Sequence, residues 1–305
     1  MELGMIGLGR MGANMAQRLQ RGGITVTGFD PGEQARALVQ GKGVATVASL
    51  QALVQTLPAP RVVWLMVPSK VVDATLDSLL PLLSPQDVVI DGGNSWYRDS
   101  LQRAARCAEH QVGFVDCGTS GGVWGLQEGY CLMIGGEQDV VARLSPLFKA
   151  LAPAPDRGWA HVGPVGAGHF SKMVHNGIEY GMMQAYAEGF ALMDKKADFN
   201  LDLAQVAEVW RHGSVVRSWL LDLSADALKG NPGLAGIAPY VEDSGEGRWT
   251  VSEAIELDVP APVITLSLLE RLRSREDNSF TDRMLAAMRN EFGGHAIKPA
   301  GGKPG

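Results

Sequence analysis

Apolar positions recur in two rhythms along this chain, and the rhythm changes once. Short apolar runs at 3–7, 25–30, 62–67, 87–91 and 112–117, with a shorter one at 132–134, alternate with stretches of helical period. Such runs read as buried strands, and the stretches through Arg21 and at 71–83, 96–110 and 137–151 as amphipathic helices. Strands alternating with helices predict a mostly parallel, doubly wound sheet. After the glycine-rich Gly163-Pro164-Val165-Gly166-Ala167-Gly168, helical periodicity takes over. It places helices near 167–196, 203–212, 215–228, 249–257, 261–274 and 279–292, with Pro232, Pro239, Pro260 and Pro262 marking breaks. The expected architecture is an α/β Rossmann-type domain over 1–164, followed by an all-α domain over 165–305.

Composition narrows the classes. A hydrophobic fraction of 46% with 20% charged residues is that of a globular protein. The net charge of −6, with no Lys/Arg run to offset it, speaks against a nucleic-acid surface. No apolar run reaches the ~18 residues of a membrane span. The N-terminus leads into a strand without a basic flank or cleavage site. Cys107, Cys117 and Cys131 form no CxxC pair. They read as structural thiols of a reducing, cytoplasmic compartment, with no metal site.

The first chemistry lies at Gly7-Leu8-Gly9-Arg10-Met11-Gly12, between a strand and a helix. A lone GxGxxG is a weak signal. In a βαβ unit of about 30 residues with an acid ending the next strand, it marks a dinucleotide site. Gly7, Gly9, Arg10, Met11 and Gly12 are the candidate cradle, where helix N–H groups and the dipole favour a pyrophosphate. Asp30 suits the ribose hydroxyls of NAD and would repel a 2′-phosphate, so NAD is preferred over NADP. The competing reading of Asp30 is a helix N-cap for the segment near Glu33. Ligands of such sheets bind beyond the carboxyl ends of the strands. The loops there are Val67-Pro68-Ser69, Gly92-Gly93-Asn94-Ser95 and Thr119-Ser120-Gly121-Gly122. Each has a plain alternative: Asn94 or Ser95 as a helix cap, and 120–122 as a turn.

The second concentration of polar residues is Lys172-Met173-Val174-His175-Asn176-Gly177-Ile178-Glu179-Tyr180-Gly181. On a helix, Lys172, His175, Asn176, Glu179 and Tyr180 share one face. Salt bridging accounts for it poorly, since Lys172 and Glu179 lie roughly 10 Å apart along the axis. A ligand lying along the helix uses all five.

Taken together, these motifs resemble those of the decarboxylating 6-phosphogluconate dehydrogenases, in a short, NAD-preferring form. The resemblance covers nearly the whole chain. It adds Asp91-Gly92-Gly93-Asn94-Ser95, Gly118-Thr119-Ser120-Gly121-Gly122, Arg248-Trp249-Thr250 and Phe292-Gly293-Gly294-His295 to the segments above. The wider β-hydroxyacid dehydrogenases are similar in the dinucleotide motif, the Ser-Gly-Gly loop and the Lys/Asn pair only. The resemblance implies oxidation of 6-phosphogluconate at C3, loss of CO2 and protonation to ribulose 5-phosphate.

It also implies residue roles. Lys172 is the base, Glu179 the acid, and Asn176 bridges the C3 hydroxyl and the nicotinamide. Val67 and Asn94 join the cofactor set. Asn94 and His175 bind sugar hydroxyls, and Ser120, Gly121 and Gly122 the carboxylate. Tyr180 and Arg271 bind the phosphate, joined by Arg289 and His295 from a second subunit. An amine with a reference pKa of ~10.4 must be depressed to act as a base at neutral pH. Glu179 must be protonated at its step, which apolar burial favours.

Two departures from the family stand out. The loop Asp243-Ser244-Gly245-Glu246-Gly247-Arg248 lacks the phosphate-binding lysine of longer members, leaving Arg248 as its basic residue. Longer members also duplicate the helical domain. Here two chains are expected to interlock single sets, as a dimer or tetramer. The alternatives are a β-hydroxyacid dehydrogenase acting on a small unphosphorylated acid, and a non-catalytic NAD-binding sensor.

Overall fold

The structure is a computed structural model that describes residues 1–293 and 296–298. Eight strands form one sheet: β1 (Glu2–Ile6), β2 (Thr25–Phe29), β3 (Ala45–Val47), β4 (Val62–Leu65), β5 (Val88–Asp91), β6 (Gly113–Ser120), β7 (Cys131–Gly136) and β8 (Trp159–Gly163). Their order is β3-β2-β1-β4-β5-β6-β7-β8. Among the strand pairs of this sheet, in the described residues, only β6–β7 is antiparallel, as the hairpin-like return through 121–130 requires. The helices between them are α1 (Arg10–Arg21), α2 (Glu33–Gln40), α3 (Leu50–Thr56), α4 (Ser69–Leu79), α5 (Tyr97–Glu109), α6 (Gly125–Glu128) and α7 (Gln138–Leu151). The chain continues as α8 (Ala167–Lys195), α9 (Leu203–Arg211), α10 (Trp219–Gly230), α11 (Glu246–Glu256), α12 (Pro262–Arg273) and α13 (Phe280–Gly293).

The expected α/β-then-α order is present. Strands β4 and β5 are buried at every position. Their alternate side chains feed two cores, so they read as unbroken apolar runs rather than alternating ones. Val62, Trp64, Val88 and Ile90 join Leu19 of α1 and Leu144 and Phe148 of α7 on one face. Val63, Leu65 and Val89 join Leu53 of α3 and Val72 and Leu76 of α4 on the other. Strands β3 and β8 carried no sequence signal. The first is three residues long, and the second, Trp-Ala-His-Val-Gly, is largely exposed at the sheet edge.

Contacts divide the chain into two compact units. The first is Met1–Glu179 with Gly245–Val259; the second is Tyr180–Ser244 with the chain from Pro260 onward. The change of composition near 164 falls elsewhere, because the first turns of α8 pack on the sheet. A Cβ at Gly168 would stand 2.6 Å from the Asp116 carbonyl and 2.5 Å from that of Met133. The start of the helical segment therefore belongs with the strands. In the second unit, α9 and α10 close a small core of Ala207, Leu221, Ala225 and Leu228, flanked by Tyr186 and Phe190 of α8. No helix among the described residues is long and apolar enough to cross a membrane.

Candidate active site

The dinucleotide motif has the geometry its spacing predicts. Gly7 has φ +92°, and a Cβ there would lie 2.4 Å from the Met66 carbonyl. A Cβ at Gly12 would fall 1.9 Å from the Gly7 carbonyl, so the third glycine lets α1 pack against the turn. Gly9 differs: its Cβ position opens onto space. Helix α1 starts there with no side-chain cap and no acidic residue in its first turn. An open backbone at an uncapped helix start fits a pyrophosphate. Arg10 is exposed and Met11 half-buried beside it.

Asp30 directly follows β2 and faces this turn. Its Oδ2 accepts from Leu8 N–H at 2.9 Å and its Oδ1 from Gly32 N–H at 2.8 Å. It is not the cap of α2, whose N-cap is Gly32. Arg36 donates to the carbonyls of Asp30 and Pro31.

The next two loops leave the ends of β4 and β5. Val67 is half-buried and Asn94 exposed. Neither Asn94 nor Ser95 caps α5, whose N-cap is Trp96. Ser95 turns inward instead and donates to Asp91 Oδ2 at 2.7 Å, while Gly93 N–H donates to Asp91 Oδ1 at 3.2 Å. The buried carboxylate thus shapes the loop and leaves Asn94 at its tip.

The third loop is shorter than expected, because β6 continues through Ser120. Gly121 and Gly122 then turn with φ +132° and +51°. Both values suit glycine. No atom comes within 4 Å of a Cβ position at Gly122, so its backbone faces open space.

Helix α8 carries the polar stripe onto these loops. Asp116 holds its start, accepting from Gly166 N–H at 2.6 Å and His169 N–H at 2.8 Å. One turn on, a Cβ at Gly118 would meet Lys172 Cβ at 2.4 Å, so β6 passes directly beneath the lysine. Lys172 and Asn176 are both buried. Lys172 Nζ donates to Asn176 Oδ1 at 2.7 Å and lies 3.5 Å from His175 Nδ1. His175 Nδ1 is 3.0 Å from the same Asn176 oxygen, and its Nε2 is 3.5 Å from Ser120 Oγ. The carbonyl oxygen accepts, which assigns the imidazole proton to Nδ1 and leaves Nε2 facing the serine.

Burial pushes the Lys172 pKa below its ordinary value; the charges of Glu179, Glu246 and Cys131 act against that shift. A desolvated amine loses the hydration that favours its charged form. Lys172 is thus moved toward the neutral state a base requires.

Glu179 closes the stripe, with Oε2 3.9 Å from His175 Nδ1. Its side chain is 38% exposed, so the apolar burial expected for the acid is not provided by this unit alone.

Ser120, Lys172, His175, Asn176 and Glu179 are thus brought together in the first unit. Tyr180 and Arg271 belong to the second, where Arg271 Cζ lies 3.6 Å above the Tyr180 ring centroid. Arg271 also donates to the Glu242 carbonyl at 2.8 Å. Arg289 is exposed on α13, and Arg248 is exposed in the first turn of α11. His295 lies outside the described residues.

Sequence reasoning missed the groups that seat these side chains. Besides Asp91 and Asp116 they include Glu246, only 2% exposed at the start of α11. Thr250 follows one turn later and donates to the Met173 carbonyl at 2.8 Å. A Cβ at Gly177 would come 2.7 Å from Thr250 Cγ2, so α11 sits against the Lys172–Asn176 turn. The available signal was the glycine at each close approach: Gly118, Gly168 and Gly177.

Comparisons with known proteins agree with this arrangement. Residues 2–163 match the NAD binding domain of 6-phosphogluconate dehydrogenase, and residues 168–290 match the C-terminal domain of that enzyme. The chain is 44% identical to the NAD(+)-dependent, decarboxylating 6-phosphogluconate dehydrogenase of Haloferax volcanii, over 97% of this chain and 98% of that protein. It is 36% identical to the Bacillus subtilis enzyme of the same description, over 89% of this chain but 61% of that one. Among solved structures, Plasmodium falciparum 6-phosphogluconate dehydrogenase superposes with a TM-score of 0.82 at 27% identity, covering 99% of this chain and 67% of that chain. The chain belongs to the 6-phosphogluconate dehydrogenase family.

Proposed function

We propose that the protein oxidises and decarboxylates 6-phosphogluconate to ribulose 5-phosphate and CO2, using NAD in preference to NADP. The observation that carries this reading is the buried Lys172, its pKa lowered by desolvation, hydrogen-bonded to Asn176 beside His175 and Ser120. NAD, when bound, accepts the hydride from C3. Neutral Lys172 takes the C3 hydroxyl proton, so the carbonyl forms without a free alkoxide. Asn176 fixes the amine by accepting its hydrogen bond and points the lone pair. The ketone then stands β to the carboxylate, and CO2 leaves with electrons flowing into the carbonyl. The Lys172 ammonium, already beside that oxygen, stabilises the developing enolate. Glu179 delivers the proton to the former C2, which becomes C1 of ribulose 5-phosphate.

Ser120 and the turn at Gly121–Gly122, open at Gly122, receive the substrate carboxylate, a role suited to successive backbone N–H groups. Asn94 and His175 bind sugar hydroxyls. Tyr180 and Arg271 are the phosphate ligands. Asp30 selects NAD: a 2′-phosphate would meet a carboxylate already fixed by two backbone donors.

The protein acts as a homo-oligomer, with Arg289 and His295 of a second copy reaching the phosphate end. Apolar residues left exposed on α12 and α13, among them Val263, Leu266, Phe280 and Leu285, support this part of the reading. The test is steady-state turnover of 6-phosphogluconate with NAD and with NADP, with CO2 collected. One CO2 per reduced cofactor is expected. Reduction without CO2 overturns the decarboxylation, and no reduction overturns the substrate.

A further inference from the structure

Helix α5 lies behind the proposed cofactor and substrate loops and contributes none of the assigned ligands. It nonetheless carries Arg103, which is 1% exposed. A buried guanidinium is costly unless its donors are met. Here all five N–H groups have acceptors. Nε donates to Asp73 Oδ1 at 3.0 Å and one Nη2 hydrogen to Asp73 Oδ2 at 2.9 Å, a bidentate pair with α4. The other Nη2 hydrogen reaches the Ser69 carbonyl at 3.2 Å. Nη1 donates to Ser95 Oγ at 2.9 Å and Asp91 Oδ2 at 3.2 Å.

These acceptors fall into two groups. Ser69 and Asp73 open α4, directly after Val67 and Pro68. Asp91 and Ser95 bracket the loop that presents Asn94, and Asp91 also takes the Gly93 N–H. One planar fork therefore ties the loop after β4 to the loop after β5. Asp73 responds electrically: hydrogen bonding to Arg103 holds its carboxyl below the usual range.

We infer that Arg103 is a positioning residue that sets the spacing between the cofactor loop at 67–69 and the Asn94 loop, so that one side chain touching neither ligand tunes affinity for both. The inference rests on the proposed reading only in naming 6-phosphogluconate as the second ligand. A lysine cannot replace the fork, because three donors on one nitrogen cannot reach two loops in a plane.

The test uses the full-length protein, with NAD affinity by calorimetric titration and the Michaelis constant for 6-phosphogluconate at saturating NAD. Arg103→Lys should raise the NAD dissociation constant and the sugar-acid KM together, each by about tenfold or more, with a smaller change in kcat. Asp73→Asn weakens only the α4 side, leaving the bond to the Ser69 carbonyl, and is the milder variant, since the Asp73 side chain is 54% exposed. It should weaken NAD by about fivefold while the sugar-acid KM stays within about twofold. A role in folding alone would lower the melting temperature and move neither constant in the folded protein. If Arg103→Lys is soluble and its NAD affinity is within twofold of the parent, the inference fails. If it is insoluble, unchanged NAD affinity in Asp73→Asn sinks it instead. NAD titration needs no turnover, so a parent protein inactive on 6-phosphogluconate overturns the proposed function without deciding this test.

Discussion

The two compact units solve burial differently. In the first, a sheet covered on both faces gives two cores, and strands such as β4 and β5 have no exposed position. Its buried polar side chains are tied into networks, with Asp91, Asp116 and Arg103 each serving several donors or acceptors. Among the described residues of the second unit, the buried cluster is Ala207, Leu221, Ala225 and Leu228 on α9 and α10. Around it, Leu192, Val263, Phe280 and Leu285 remain 74%, 66%, 71% and 51% exposed. An open groove of about 580 Å³, lined by residues such as Met183, Phe190, Leu220 and Leu234, adds to that apolar surface. A sheet with helices on both sides completes its own burial, whereas one helical set does not. On the proposed reading, the chemistry is housed in the self-sufficient unit and assembly falls to the other.

The largest expected effect tests the first half of that statement. Lys172→Ala should cut turnover by about a thousandfold or more, the scale of a lost general base, while NAD titration stays close to the parent. Residual turnover within tenfold of the parent would remove Lys172 from the base role.

The second half is tested by charging the exposed faces. Leu266→Asp combined with Leu285→Asp should shift sedimentation to the monomer and lower turnover by about tenfold or more, leaving NAD binding intact. An active monomer would break the link between assembly and the site.

A smaller effect concerns Asp30. Its replacement by Ala should weaken NAD by ~1–2 kcal/mol, about the value of a charged hydrogen-bonding partner, and narrow the preference over NADP. An unchanged cofactor ratio would count against the ribose role.

The smallest effect is electrostatic. Lys172 acts as a base when neutral, so kcat/KM should rise with pH through its pKa. Burial lowers that pKa, and the Glu246 charge raises it. Glu246→Gln removes the opposing charge and should move the acid limb to lower pH, and Glu246→Asp should return it. An acid limb that stays in place would show that Glu246 has no electrostatic part in the site.

Much of the site was legible because local geometry writes itself into residue spacing. Lys172, His175 and Asn176 lie at helical offsets of 0, 3 and 4, and a helix brings such positions together whatever surrounds it. Gly7, Gly9 and Gly12 were equally readable, since a strand–turn–helix cradle needs small residues at set intervals. Asp91 and Arg103 were not, because their partners come from elements whose adjacency follows from strand order. Glu179 shows the same limit. Its place on the stripe was clear, but its half-exposure depends on what covers α8, which no periodicity records.

The sequence alone determined the α/β-then-α order, the dinucleotide cradle and the polar face of α8, all products of interactions within a few residues or of regular period. Tertiary structure decided which loops are clamped together, that Asp116 and Gly118 seat Lys172 on β6, and that the first turns of α8 belong with the sheet. Those outcomes depend on contacts between residues dozens of positions apart, where packing rather than local propensity sets the lowest free energy.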